Sequence, residues 1–459
     1  MTARVARGAW LAYAAVAGMM VLFAVLRWGQ ALVSVGPVLY GEGAVAHAAI
    51  LMRTLAPYAD AGGATFTAAN YPPVYFLLAS VGDPFVTGRA LSVIATVGIA
   101  ALLVWRARGG GPLVAGALGL GWLALAPVAI WGPAVKPDLV ALALTVAGVQ
   151  ALDRRRVGLA AGLLVLAMAT KPTALVPAIA LLAWIAWRDR ALLRPFAVTG
   201  AIALLVAAVA LVPFGYPDLW RHVVEWNALP WSLGSAFLLA FLGVVILAAL
   251  LGATVVSRGF SGPVAAYAVA ALVIVGLGGR EGATINYLLD LAAAGALVLA
   301  SVAPRLARAP FYPIVATLNL AVAALILDPL GFVPGRTATS GAWADPSRIT
   351  SAEIVLASDS VVLAEDSGLL LATGHRVVVD DLFLWSRLVE SGAVDPGPLL
   401  ADVGGARFTA IVAEVDLGQL NAAPAFERSR WEPSLVRAID LRYRLVSRAP
   451  GGLFIYRPR

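Results

Sequence analysis

Apolar stretches long enough to cross a bilayer recur along most of the chain, and they restrict the class of fold before anything else is considered. Runs of about 17–25 apolar residues are the length a membrane helix needs. Runs of roughly that kind, bounded by charge, Gly or Pro, lie at 9–26, 86–105, 112–131, 139–152, 157–170, 173–187, 195–213, 235–256, 262–278, 287–303 and 310–328. The pattern predicts an all-α polytopic membrane domain of about eleven transmembrane helices. Composition agrees: 61% of the 459 residues are hydrophobic and 13% are charged, against roughly 45–50% and 25% in a soluble domain. The first run, flanked by Arg4 and Arg7, reads as an uncleaved anchor. Two short stretches, Tyr71–Gly82 and Leu219–Trp231, read as helices at the interface or dipping part way in.

Charge sorts across these runs. With the N-terminus cytoplasmic, the inner segments hold Arg4, Arg7, Arg106, Arg108, Arg154–Arg156, Arg188, Arg190, Arg194, Arg258, Arg305 and Arg308, the positive-inside pattern. Of the 11 acidic residues before position 330, only Asp153 and Asp189 fall inside, so the outer face is where chemistry is sought. Beyond about Leu330 the chain carries 15 acidic and 13 basic residues. That change predicts a boundary between a membrane domain, 1–330, whose first external loop spans about 30–85, and a small extracytoplasmic α/β domain, 331–459. In the latter, 361–364, 376–379, 408–415 and 453–456 read as strands, and 382–390 and 433–441 as helices. There are no cysteines and three scattered histidines, which leaves little for metal or thiol chemistry. The formal charge of +7 sits between apolar blocks as membrane anchors do, so nucleic acid is not the expected partner.

The residues that could carry chemistry cluster on the outer side. The first external loop runs Tyr40-Gly41-Glu42-Gly43, then His47, Tyr58-Ala59-Asp60 and Asn70-Tyr71-Pro72-Pro73. Glu42 reads either as a group held for a substrate or as a solvated residue starting an interfacial helix over 42–56, favoured there by the helix dipole. Only two lysines stand beside 31 arginines, and both, Lys136 and Lys171, fall at predicted outer positions with Arg89 and Arg280. A cation at a helix end either snorkels to the interface or meets an anion. Asp138 is close enough to Lys136 to be its structural partner. Asn286 and Tyr287 either cap and pack a helix end or hydrogen-bond a sugar or phosphate. His47, five residues after Glu42, is off that residue's face and reads as a core or interfacial histidine. Trp220, Trp226 and Trp231 read as an interfacial belt, and Glu365, Asp366, Asp380 and Asp381 as solvated strand ends.

The order of these motifs resembles the GT-C superfamily of membrane glycosyltransferases: a carboxylate after the first span, a juxtamembrane helix ending in Tyr58-Ala59-Asp60, Pro72-Pro73, Gly88-Arg89-Ala90-Leu91-Ser92, Lys136-Pro137-Asp138, Thr170-Lys171-Pro172-Thr173, and Arg280 to Tyr287. The bacterial relatives of protein O-mannosyltransferases and the lipid A aminoarabinose transferases are the most similar branches. The resemblance implies inverting transfer of a sugar from a polyprenyl-phosphate carrier to an extracytoplasmic glycan, lipid or protein, without metal or cofactor, in an inner (plasma) membrane. It puts the general base on Glu42, alone or with Asp60 or Asp138. Arg89, Lys136, Lys171 and Arg280 then face the donor phosphate, and Tyr71, Asn286 and Tyr287 the substrate. Two positions depart from the pattern: Gly41 stands where an aspartate is common, and Tyr71 where the aminoarabinose transferases have lysine. A flippase of lipid-linked sugars and a non-catalytic envelope scaffold are the competing readings.

Overall fold

A computed structural model describes residues 2–59, 62–257, 262–327, 347–357, 359 and 361–459. The chain divides into two compact units, each drawn from three separate stretches.

The first unit comprises Met1–Gln30, Arg89–Ala210 and Pro230–Arg336. Every apolar run is helical, but not every run is one long helix. Among the described residues, three helices are long and apolar enough to cross a membrane: Arg4–Val33, Pro84–Gly110 and Arg190–Phe214. A fourth crossing is available if Leu233–Ile246 and Ala248–Ser257 act together across their 78° bend. The remaining apolar helices have 10–17 residues, short of the roughly 20 a full crossing needs, so eleven full-length spans are not what the fold displays. Proline and local backbone breaks shorten them. Leu125 is extended (ψ 129°) between Pro112–Ala124 and Ala126–Trp131, with Pro127 in the first turn that follows. The Arg190–Phe214 helix leaves Ile202, Leu205, Val206 and Val209 exposed, an apolar surface suited to lipid rather than water.

The bend at Leu247 has an identifiable support. Asn319, on the Phe311–Leu327 helix, donates Nδ2–H to the Val245 carbonyl (2.9 Å) and accepts from the Ala249 N–H (3.1 Å). One side-chain amide thus serves a donor and an acceptor at the break, as backbone at membrane depth requires. Asn319→Leu leaves both without that partner at about 1–3 kcal/mol per buried group. A fall in melting temperature of the detergent-solubilised protein is the expected result, larger than for Thr317→Val on the same helix.

Asp138–Asp153 and Val157–Met168 form a hairpin joined through Arg154–Arg156. The first helix is 16 residues, about 24 Å. Its two ends carry different chemistry. At the Asp153 end, Arg106 bonds Asp153 (2.8 Å), Gln150 (3.2 Å) and Ser301 (2.8 Å). At the other end the returning helix delivers Lys171 to Asp138.

The second unit comprises Ala31–Gly88, Leu211–Leu229 and Thr337–Arg459. The expected cut near residue 330 lies outside the described residues, and the first external loop packs with the tail. A four-stranded sheet runs in the order β1-β2-β4-β3, with β1 Val362–Ala364, β2 Ala410–Ala413, β3 Tyr443–Ala449 and β4 Leu453–Pro458. β1 and β2 are parallel; β4 is antiparallel to both of its neighbours. Residues 376–379 do not form a strand of this sheet: Val379 makes one isolated bridge, with Phe66 of the first loop. The Leu382–Glu390 helix caps on Asp381, whose side chain accepts from Leu384 N–H. Phe66 stacks on Trp226 at 5.1 Å, and the core containing Leu363, Trp385, Ile411 and Trp431 includes Phe66 and Ala68. Trp226 is therefore part of the packing around this core rather than of an interfacial belt.

Candidate functional site

In the first unit a polar cluster is built by the hairpin and by the Ile285–Ser301 segment. Lys171 precedes Pro172 at the end of the returning helix, and its Nζ lies 2.7 Å from Asp138 Oδ1. The same oxygen accepts from Asn286 Nδ2 at 2.7 Å. Asn286 is itself oriented by Thr284, whose hydroxyl donates to its Oδ1 (2.8 Å). Lys171 Nζ stands 5.3 Å from the centre of the Tyr287 ring, and the Tyr287 hydroxyl accepts from Arg280 Nη2 (3.1 Å). Asp138 is 4% exposed, and its Oδ2 has no hydrogen-bond partner among the described residues. A narrow polar cavity is lined by Asp138, Thr145, Lys171, Asn286 and Asp290, among others.

Local sequence explains the placement. Ser92 donates its hydroxyl to the Ala134 carbonyl (2.6 Å), Thr96 donates to the Ser92 carbonyl (2.7 Å), and Trp122 Nε1 donates to the Thr96 carbonyl (3.1 Å). This chain of bonds holds the turn from which Lys136 and Asp138 emerge. Lys136 is half-buried and Arg89 fully buried. Asp138, Lys171, Asn286, Tyr287 and Arg280 are therefore brought together as five of the expected residues. Asp138 serves here as the ion partner of Lys171, 33 residues away, where the sequence suggested Lys136. Asp290, hydrogen-bonded by the Tyr267 hydroxyl (2.9 Å), is an addition. An acidic residue within an apolar run, at helical spacing from Asn286 and Tyr287, was the signal that could have found it.

In the second unit Glu42 opens the Glu42–Met52 helix, but it is not solvated. It is fully buried, and its Oε2 accepts from the N–H groups of Val38 (2.7 Å) and Leu39 (3.4 Å). The carboxylate closes its own loop. Gly41 has φ 76°, a left-handed conformation that an aspartate adopts less readily than glycine. Gly43 presses on the Ser367–Ala372 helix so closely that a Cβ would lie 2.1 Å from Gly368 N. Tyr71 is half-buried, and its carbonyl accepts from the Tyr58 hydroxyl (2.7 Å). Asp60 lies outside the described residues.

The tail carboxylates are not solvated strand ends either. Glu365, Asp366 and Asp380 are each at most 2% exposed. Glu365 Oε1 and Glu414 Oε2 both bond Arg430 Nη1 (2.9 and 2.7 Å), and Arg348 meets Glu414 and Asp366. Burial raises the Glu365 carboxyl above its ordinary range, with Arg430 opposing it. Burial likewise raises Asp366, opposed chiefly by Arg348. Asp380 is raised by burial too, against its hydrogen bonds to His47 and the Ala68 N–H. Its Oδ2 lies 3.0 Å from His47 Nδ1 and its Oδ1 accepts from Ala68 N (2.7 Å). The off-face position of His47 relative to Glu42 concealed this contact, because its partner is 333 residues along the chain.

No family model and no curated protein sequence matches the chain. Two solved structures do. ArnT from Cupriavidus metallidurans in the apo state aligns over 96% of this chain and 98% of that one, with 14% identity and a TM-score of 0.59. ArnT from the same organism bound to undecaprenyl phosphate aligns over the same shares, with 13% identity and a TM-score of 0.54. The chain thus shares its overall fold with ArnT.

Proposed function

We propose that this protein is an inner-membrane glycosyltransferase that moves a sugar, with inversion, from a polyprenyl-phosphate donor to an extracytoplasmic glycan, lipid or protein hydroxyl. The observation that carries the reading is Lys171, held in a buried polar cluster with Asp138, Asn286 and Tyr287. It stands on a fold shared with ArnT, one structure of which is bound to undecaprenyl phosphate. Buried ammonium, guanidinium and amide groups at one end of a helix hairpin are suited to receive an anionic lipid headgroup. In this reading Lys171, with Lys136, Arg89 and Arg280, neutralises the phosphate as the bond to the sugar breaks. Asn286, Tyr287 and Tyr71 contact sugar or phosphate, and Asp138 fixes the position of Lys171. The first external loop supplies the proton acceptor. Glu42 and Asp60 are the carboxylates the family resemblance offers. The membrane part makes about eleven crossings, some by short or paired helices, with the N-terminus cytoplasmic and the tail outside. The tail helps select the acceptor. No metal or cofactor is required.

The test is to reconstitute the protein in lipid, offer a panel of polyprenyl-phosphate sugars with a bacterial envelope extract as acceptor source, and measure released carrier phosphate. Release from one donor class is the expected outcome. Donor that crosses the bilayer unconsumed would instead identify a flippase, and a folded protein doing neither would point to a scaffold.

A further inference from the structure

The Asp153 end of the helix hairpin, away from the Asp138–Lys171 cluster, gathers more positive charge than its carboxylate neutralises. Arg154 and Arg156 sit on the turn, and Arg106 and Arg108 lie at the end of the Pro84–Gly110 helix beside it. Asp153 stands among them, and Arg106 holds it at 2.8 Å. Arg155, the remaining arginine of the turn, is paired with Asp189 (3.1 Å). Arg108, Arg154 and Arg156 are exposed, and among the described residues none of the three makes an ion pair with a carboxylate.

Two of these guanidiniums share one ring. The central carbons of Arg154 and Arg108 lie 2.9 and 5.0 Å from the centre of the Trp105 ring, which is itself exposed. The indole attracts each cation through its quadrupole, which gathers the two side chains without neutralising them. Partial desolvation, then the charges of Arg106, Arg108 and Arg156, hold the Arg154 guanidinium below its ordinary value, and Asp153 opposes them. Four guanidiniums around one carboxylate are an anion site in charge.

The adjoining surface is apolar. Ile94, Val97, Ala101 and Val104 are exposed and recur every three or four residues, which places them on one face of the helix, and Arg108 is the next step along that face. The helix is long and apolar enough to cross a membrane, so acyl chains are what such a stripe meets. A soluble anion would use the charge and leave the stripe, whereas a lipid uses both.

We propose that Arg108 and Arg154, gathered on Trp105 with Arg156 beside them, bind the phosphate headgroup of an anionic phospholipid whose acyl chains lie along Ile94, Val97, Ala101 and Val104. The planar guanidinium fork donates paired hydrogen bonds to phosphate oxygens, and basic pockets between membrane helices suit this class of headgroup. Arg106, bonded to Asp153, Gln150 and Ser301, ties the helices together behind the site. The site lies one helix length from Lys171 and does not depend on the transferase reading.

The test titrates the detergent-purified full chain with phosphatidylglycerol, phosphatidylcholine or inorganic phosphate and follows bound lipid by native mass spectrometry. Phosphatidylglycerol should be retained in preference to phosphatidylcholine, and inorganic phosphate should not displace it. One charge near a membrane surface is worth about fivefold in affinity, so Arg108→Gln with Arg154→Gln should weaken phosphatidylglycerol about 25-fold and leave phosphatidylcholine unchanged. If the double variant does not fold, the single variants, each weaker by about fivefold, carry the test. Arg108→Lys with Arg154→Lys keeps both charges and should retain the preference for phosphatidylglycerol. Arg190→Gln with Arg194→Gln, two exposed arginines of another turn, should change nothing. Equal retention of the two lipids would overturn the proposal. So would an equal loss in the Arg190 and Arg194 variant, which would show that diffuse charge, and not a site, draws the lipid. A lysine variant as weak as the glutamine one would reduce the arginines to packing on Trp105, and displacement by inorganic phosphate would replace the lipid by a free anion.

Discussion

Lys171→Met should abolish carrier-phosphate release and, in the same protein, lower thermal stability. The two losses have separable causes. Lys171 Nζ is 2.7 Å from Asp138 Oδ1, and the side chains are 12% and 2% exposed. Removing one partner of a buried pair leaves an uncompensated charge at a cost of about 3–5 kcal/mol. A double variant, Lys171→Met with Asp138→Asn, removes both charges and retains a neutral hydrogen-bonding group beside Asn286. It should recover most of the melting temperature while remaining inactive, because the cation proposed to meet the phosphate is still missing. Stability restored with activity absent separates folding from phosphate binding. If the double variant released carrier phosphate at the normal rate, Lys171 would be a structural ion only. Salt provides a cross-check: a pair this buried is poorly screened, so the stability loss should persist at high ionic strength.

Much of the helical framework was legible because apolar length is a one-dimensional signal. All eleven apolar runs became helices. What they did not reveal is where a run breaks. Leu125 and Leu247 look like any other apolar residue, and the Leu247 bend is supported by Asn319, on another helix. The site was legible in its parts: the motifs supplied Asp138, Lys171, Arg280, Asn286 and Tyr287. Their partnership was not, since Asp138 meets Lys171 only once Val157–Met168 folds back along Asp138–Asp153. Strand β3 was missed because Arg444, Ser447 and Arg448 interrupt its apolar residues, the composition of a sheet edge. In the other direction, 376–379 has strand-forming residues but pairs only through Val379. The tail carboxylates looked solvated because charge normally is. Here Arg430 meets Glu365, Arg348 meets Asp366 and His47 meets Asp380, each from another stretch of the chain.

Those arginines set the second large effect. Arg430 is 4% exposed, bonds Glu365 and Glu414, and lies 3.8 Å from the centre of the Tyr40 ring. Arg430→Met keeps most of the side-chain volume and removes the charge. Glu365, whose side chain is fully buried, then keeps its bond from the Glu414 N–H (2.7 Å) but loses its cation. By the same reasoning as for Lys171, the second unit should lose about 3–5 kcal/mol at neutral pH. The pH dependence has a definite sign. Burial already holds the Glu365 carboxyl above its ordinary 4.5, with Arg430 pulling it back. A raised folded-state pKa means that the folded chain binds the proton more tightly than the unfolded one. Stability from this group is greatest below the unfolded value and is lost as pH rises through the folded one. Without Arg430 the folded value climbs further. The deficit of Arg430→Met relative to the unaltered protein should therefore be largest at neutral pH and shrink on acidification through the window above 4.5. Melting curves of the two proteins across that range measure it directly. A deficit that is constant with pH would mean that the lost contact with the Tyr40 ring and with the Phe426 ring, whose centre is 4.8 Å away, and not the buried charge, is what the substitution removes. Adding Glu365→Gln to Arg430→Met decides between these causes: if charge is responsible, the pair is more stable at neutral pH than Arg430→Met alone, and if stacking is responsible, it is not.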